Sequence, residues 1–65
     1  MILPLVVQYN YNGTVSIAEP AGSAFFDYVD VATAKTLDEA KVKAQKYYEG
    51  TGYELVFIDM NGDEV

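Results

Sequence analysis

The first third of the chain alternates. Leu5, Val7 and Tyr9 are spaced two apart, as are Val15 and Ile17, with Gln8 and Ser16 between them. That period predicts two strands, Leu5 to Tyr9 and Val15 to Ile17, joined at Asn12-Gly13. The same pattern selects the turn. A two-residue Asn-Gly turn would set Tyr9 against Ser16 and Val7 against Ala18. A three-residue loop, Tyr11-Asn12-Gly13, sets Tyr9 against Val15 and Val7 against Ile17. All five apolar residues then share one face, and register follows the buried face. The longer loop is therefore predicted, with Gly13 in the left-handed conformation of a G1 bulge.

Residues 19–24, with Pro20 and Gly22, read as a loop. Phe25 to Ala32 is aromatic and β-branched and reads as a third strand. Its alternation is broken, because Asp27 and Asp30 would lie on opposite faces of a regular strand. A bulge or a later strand start would resolve the conflict. Thr36-Leu37-Asp38-Glu39 is a capping box. It opens a helix expected to run to about Glu49, with Gly50 just past its end. Leu37, Ala40, Ala44, Tyr47 and Tyr48 form the apolar stripe, Val42 points away from it, and Glu39 and Lys43 stand four apart as an ion pair. Tyr53 to Met60 reads as a fourth strand. Its apolar run Leu55-Val56-Phe57-Ile58 suits a strand with neighbours on both sides. Asn61-Gly62 turns the chain again, leaving room for only a stub.

The expected fold is α+β: a small, mainly antiparallel sheet with one helix on a face, in the order β-β-β-α-β. The 65 residues make a single domain. One helix cannot cover everything apolar on such a sheet, since Tyr11, Phe25, Phe26 and Tyr28 also need cover. A two-fold homodimer is expected to close the remainder, because no disulfide or metal is available to staple so short a chain.

Charge changes the picture most. Ten acidic side chains stand against four lysines, with no arginine and no histidine, for a net charge of −6. The lysines all fall between Lys35 and Lys46; outside that window the chain carries acids alone. Such a balance disfavours direct contact with nucleic acid or an anionic membrane and favours a basic partner. The apolar start has no basic flank and stops at Gln8, so neither a signal peptide nor a membrane span is expected. Absent cysteine fits a reducing, cytoplasmic setting.

Chemistry is limited by the same composition. Without His or Cys, the commonest general base, the thiol nucleophile and the usual transition-metal ligands are missing. Ser16 and Ser23 have no base partner, and Lys35 reads as a solvated lysine before the helix rather than a Schiff-base residue. Asp27 with Asp30, or Asp59 with Asp63, is the sort of pair a two-carboxylate hydrolase uses. A one-helix domain offers little room for a cleft, so no catalytic residue is assigned and no cofactor or metal is expected. Asp59-Met60-Asn61-Gly62-Asp63-Glu64 lacks the spacing of a calcium loop and reads as a polar turn.

Pro4 leading an apolar strand, the Asn12-Gly13 turn, a second strand running into Pro20, and the helix start Thr36-Leu37-Asp38-Glu39-Ala40 together resemble the HicB-like antitoxins. The likeness covers about residues 4–50. It implies a partial RNase H-like fold and neutralisation of a small RNase toxin. The chain departs from that pattern at Pro20-Ala21-Gly22, where the family has Pro-x-x-Pro-Gly, and at Lys35, where it has an acid. By size and charge alone the chain also looks like small acidic phage anti-defence proteins of the anti-CRISPR kind, some of which mimic nucleic acid.

The leading expectation is a non-enzymatic inhibitor of a basic nucleic-acid-binding protein. Its contact residues would be Asp27, Asp30, Tyr28, Glu54, Asp59, Asp63 and Glu64. Two of the six tyrosines, Tyr9, Tyr11, Tyr28, Tyr47, Tyr48 and Tyr53, are expected to be contacts and the rest structural. An antitoxin and a small structural or assembly subunit are the alternatives.

Overall fold

The computed structural model describes residues 2–20 and 28–65. Five elements follow the expected order: β1 (Ile2–Tyr9), β2 (Val15–Pro20), β3 (Tyr28–Ala34), α1 (Leu37–Tyr47) and β4 (Glu54–Ile58). They form one four-stranded sheet in the order β3-β2-β1-β4. The β1–β2 and β2–β3 pairs are antiparallel, whereas β4 lies parallel to β1. The parallel pair requires a crossover, and α1 supplies it by returning the chain from β3 across the sheet to the far edge.

The first hairpin has the three-residue loop that the apolar pattern selects. Tyr9 pairs with Val15 and Val7 with Ile17. Asn10 and Thr14 close the loop, the Asn10 N–H donating to Thr14 O at 2.9 Å and the Gly13 N–H to Asn10 O at 3.2 Å. Gly13 has φ +82°, a region where a side chain would crowd its own backbone. Asn12 Oδ1 accepts from the Thr14 amide, and Asn10 Nδ2 donates to Thr14 Oγ1 at 3.0 Å and Ser16 Oγ at 2.8 Å. The buried Ser16 hydroxyl is thereby satisfied, with Thr33 Oγ1 at 3.3 Å on its other side. Tyr9 is the exception to the shared face: it lies beyond the helix and is exposed.

The broken alternation of the third strand has both suspected causes. Regular pairing begins at Tyr28, so the expected start at Phe25 lies outside the described residues. A bulge then falls between Asp30 and Ala32, because Ile17 pairs with Ala32 while Ala18 pairs with Asp30. Val31 is the extra residue and packs against the core beside Ala32. The bulge returns Asp30 to the face away from the helix, where it is exposed. Glu19 and Pro20, expected in a loop, complete β2.

The core fills the space between the sheet and α1. Leu5, Val7 and Ile17 are its largest fully buried side chains, joined by Val15, Ala32, Ala34, Phe57 and, from the helix, Ala40, Ala44 and Tyr48. The two alanines let α1 lie close to β2 and β3, so the β1–β4 half needs other cover. It comes from Tyr48, from Val65, and from Lys41. Lys41 lays its ammonium 5.4 Å from the Phe57 ring centre and donates to Val65 O at 2.8 Å. Tyr47 falls outside the stripe and is exposed, as is Val42. Lys43 does not serve the ion pair expected with Glu39; its Nζ reaches the Thr33 carbonyl at 3.0 Å and ties α1 to β3.

β4 is an edge strand, in contrast to the expectation of neighbours on both sides. Its free side is met by the stub after the second Asn-Gly turn. The Val65 N–H donates to Phe57 O at 2.9 Å, and Ile58 bridges Glu64. A few residues thus blunt an otherwise open edge.

The helix start is the feature of this fold most open to test. Thr36 Oγ1 accepts from the Glu39 amide at 3.2 Å. Thr36→Ala is expected to cost about 1 kcal/mol. Thermal unfolding should register it as a drop of about 4–8 °C.

Candidate functional site

The helix layer, residues 35–49, holds all four lysines together with Asp38, Glu39 and Glu49, so its charges nearly cancel. The sheet and the tail after β4 carry only acids. The net charge of the protein is therefore carried outside the helix layer, by the strands and the tail alike. The division follows from the sequence, since α1 and its flanks are the one segment that contains lysines.

The residues expected at a partner contact do not form one patch. Tyr28 and Asp30 lie on β3 and Glu54 on β4, at opposite edges of the sheet, edges that three strand spacings put about 14 Å apart, and Asp30 is level with Ile58 rather than with Glu54. Asp59, Asp63 and Glu64 lie past the other end of β4, about 16 Å from Glu54 at strand rise. Asp27 lies outside the described residues. Asp30, Glu54, Asp63 and Glu64 are exposed, and Asp59 is half-buried. Among the described residues no group of three or more carboxylates converges on a point that could hold a metal ion.

Two further features stand out. The first is the sheet face turned away from α1, one of the apolar surfaces that a single helix was expected to leave over. Alternation puts Ile2, Pro4 and Val6 of β1, Val56 and Ile58 of β4, and Ala18 of β2 on it. Its middle, at Val6 and Ala18, is buried, while Ile2 at its end is 63% exposed. Asp30 and Glu54 stand at its two edges.

The second is a pair of matching turns. Asn10-Tyr11-Asn12-Gly13-Thr14 and Asp59-Met60-Asn61-Gly62-Asp63 share the same hydrogen bonds. In the second, the Asp59 N–H donates to Asp63 O at 2.8 Å and the Gly62 N–H to Asp59 O at 3.0 Å, with Gly62 at φ +89°. Asp59 Oδ1 also accepts from the amides of Asn61 at 2.8 Å and Asp63 at 3.0 Å, which leaves its other oxygen outside these turn bonds. Because β1 and β4 are parallel neighbours, the two turns stand side by side at one end of the sheet. A large side chain occupies the first loop position of each, Tyr11 and Met60. Tyr11 is fully exposed, and Met60 and Tyr9 are each 65% exposed. Gln8, Tyr9, Asn10, Tyr11 and Met60 line an open cleft of about 360 Å³ between the turns. The repeated large-Asn-Gly pattern was visible in sequence; that the two turns meet was not.

Burial sets one tyrosine apart from the other five. Tyr48 is the structural one. Its ring packs edge-on against Tyr47 and Tyr53, with centroids 4.9 and 6.1 Å away, and its hydroxyl donates to Glu19 Oε2 at 2.9 Å. Tyr9, Tyr11, Tyr28, Tyr47 and Tyr53 all present surface to solvent. Burial, and then the Glu19 carboxylate beside it, push the Tyr48 phenol well above the usual tyrosine range.

No helix among the described residues is long and apolar enough to cross a membrane. Compared with known proteins, the chain matches no family model, no curated protein and no solved structure.

The raised Tyr48 pKa makes a prediction about alkaline stability. A phenol whose folded pKa exceeds its unfolded value, about 10, stabilises fully below that value and loses the contribution as pH rises through it. Denaturant midpoints should therefore fall above about pH 10. Tyr48→Phe should cost about 1 kcal/mol at neutral pH, for the lost Glu19 hydrogen bond, and should flatten the alkaline decline.

Proposed function

We propose that the protein is a non-enzymatic binding protein that meets a basic, nucleic-acid-handling partner and inhibits it by offering carboxylates where that partner receives phosphates. The observation that supports this reading is the division of charge by layer: a near-neutral helix layer on a sheet and tail that carry only acids. A long-range field of one sign speeds encounter with a surface of the other sign and turns the molecule before contact. Exposed tyrosines and Met60 beside acidic side chains supply what a contact needs besides charge, namely large area with few rotatable bonds.

Two other readings each have one observation in their favour. The element order, with the Thr36-Leu37-Asp38-Glu39-Ala40 helix start, favours an antitoxin that masks a small RNase toxin. A basic toxin gene next to this one is its signature; a phage or plasmid anti-defence cluster is that of the inhibitor. The apolar sheet face favours a small structural subunit that associates with itself. Sedimentation equilibrium at micromolar concentration tests this. A species of twice 7.2 kDa that falls to 7.2 kDa on Val56→Lys supports self-association through this face, and a 7.2 kDa wild-type species removes it.

The inhibitor reading is tested on the partner that the immobilised protein retains from host lysate. Its affinity should weaken as salt rises from low to physiological strength and beyond, chiefly through slower association, because exposed charges are screened over about 8 Å at 0.15 M. Affinity that does not change with salt removes the phosphate-mimic reading.

A further inference from the structure

The cleft between the matching turns sets exposed aromatic and thioether side chains beside a turn closed by two acidic residues. Tyr9, Tyr11 and Met60 give it apolar walls, and all three side chains are exposed, Tyr11 fully. Asp59 and Asp63 close the turn that carries Met60, and Glu64 follows them; these acids stand next to the cleft in sequence and do not line it. Gln8 Nε2 lies 3.9 Å from Met60 Sδ, which joins the floor of the cleft to one wall. The walls stand on two paired strands and on turns fixed by their own hydrogen bonds, so little ordering remains to be done on binding.

We propose that this cleft docks an arginine side chain of the partner. The proposal rests on the reading of the protein as a binder of a basic surface, and it assigns the place where that surface is gripped. Guanidinium is the cation that fits. It is planar, is weakly hydrated, stacks on tyrosine faces and thioether surfaces, and pairs edge-on with carboxylates. Lysine, a compact and strongly hydrated charge, gains less from aromatic walls. A second copy of the chain is a poor occupant of the same cleft. The protein has no arginine, and a two-fold pairing here would bring Asp59, Asp63 and Glu64 of both copies together.

The test is an amide-resolved NMR titration of the whole protein with nona-arginine, with nona-lysine as the control of equal charge. The largest shifts with nona-arginine are expected at residues 8–14 and 58–64, and nona-lysine is expected to bind several-fold more weakly. Tyr11→Ala with Met60→Ala changes only exposed turn positions and should weaken nona-arginine binding about five- to tenfold while leaving the melting temperature unchanged. Shifts centred on Asp30 and Glu54, or on the helix N-terminus, overturn the cleft but leave the binder reading standing. So does equal affinity for the two peptides, or an effect of the double variant within error. Absence of binding by either peptide at low salt overturns both.

Discussion

The register of β1 is the constraint on which the rest depends. It is an interior strand that joins the antiparallel part of the sheet to its parallel pair, antiparallel to β2 on one side and parallel to β4 on the other. Its Leu5 and Val7 are completely buried, so a slip of one residue would exchange them for Val6 and Gln8 on the helix side. The three-residue loop at Tyr11-Asn12-Gly13 holds that register from one side. The parallel pairing of Leu5 with Phe57 holds it from the other, by bringing the Phe57 ring onto the same buried face. In so short a chain without a cysteine, a sheet that hesitated between registers would have no second core to fall back on.

That pairing also decides what the surface looks like. Placing β4 beside β1 puts two Asn-Gly turns next to each other, and so sets Tyr11 beside Met60 although 49 positions separate them in sequence. It gathers the tail acids at the same end. The helix, crossing from β3 to reach β4, takes every lysine with it and leaves the sheet and tail without a cation. Charge and exposed apolar area are therefore properties of the same topological choice. The bulge at Val31 contributes in the same sense: it keeps an aliphatic side chain against the core and turns Asp30 outward, where a regular strand could not do both.

Stability and binding draw on separate sets of residues. Tyr48 is committed to the core and to Glu19, and Lys41 and Lys43 are spent on backbone carbonyls of Val65 and Thr33. Asp38 and Glu39 sit in the first turn of α1, where the helix dipole favours negative charge. The acids left at the sheet edges and the tail have no such structural role apart from the turn made by Asp59. Surface acids that do no work in the fold are free to be used on a partner.

The sequence alone determined the local elements. Alternation and Gly13 dictated the first hairpin down to its loop length, because only one register buries Leu5, Val7, Val15 and Ile17 together. The Thr36 cap set the start of the helix, because its hydroxyl satisfies a backbone N–H that the helix start leaves open; the end falls at Tyr47, with Tyr48 as cap, two residues short of the expected Glu49. Element order and the α+β class followed. What the sequence could not decide was adjacency. The apolar run of β4 fits a central strand and an edge strand equally well, since a helix-covered edge with an open outer face also carries apolar residues on both sides. The acids of Asp30, Glu54 and the tail read as one group because chain position says nothing about which edge of a sheet a strand will join. That depended on the crossover of α1 and the parallel docking of β4 on β1, which are long-range packing choices made by the buried face as a whole.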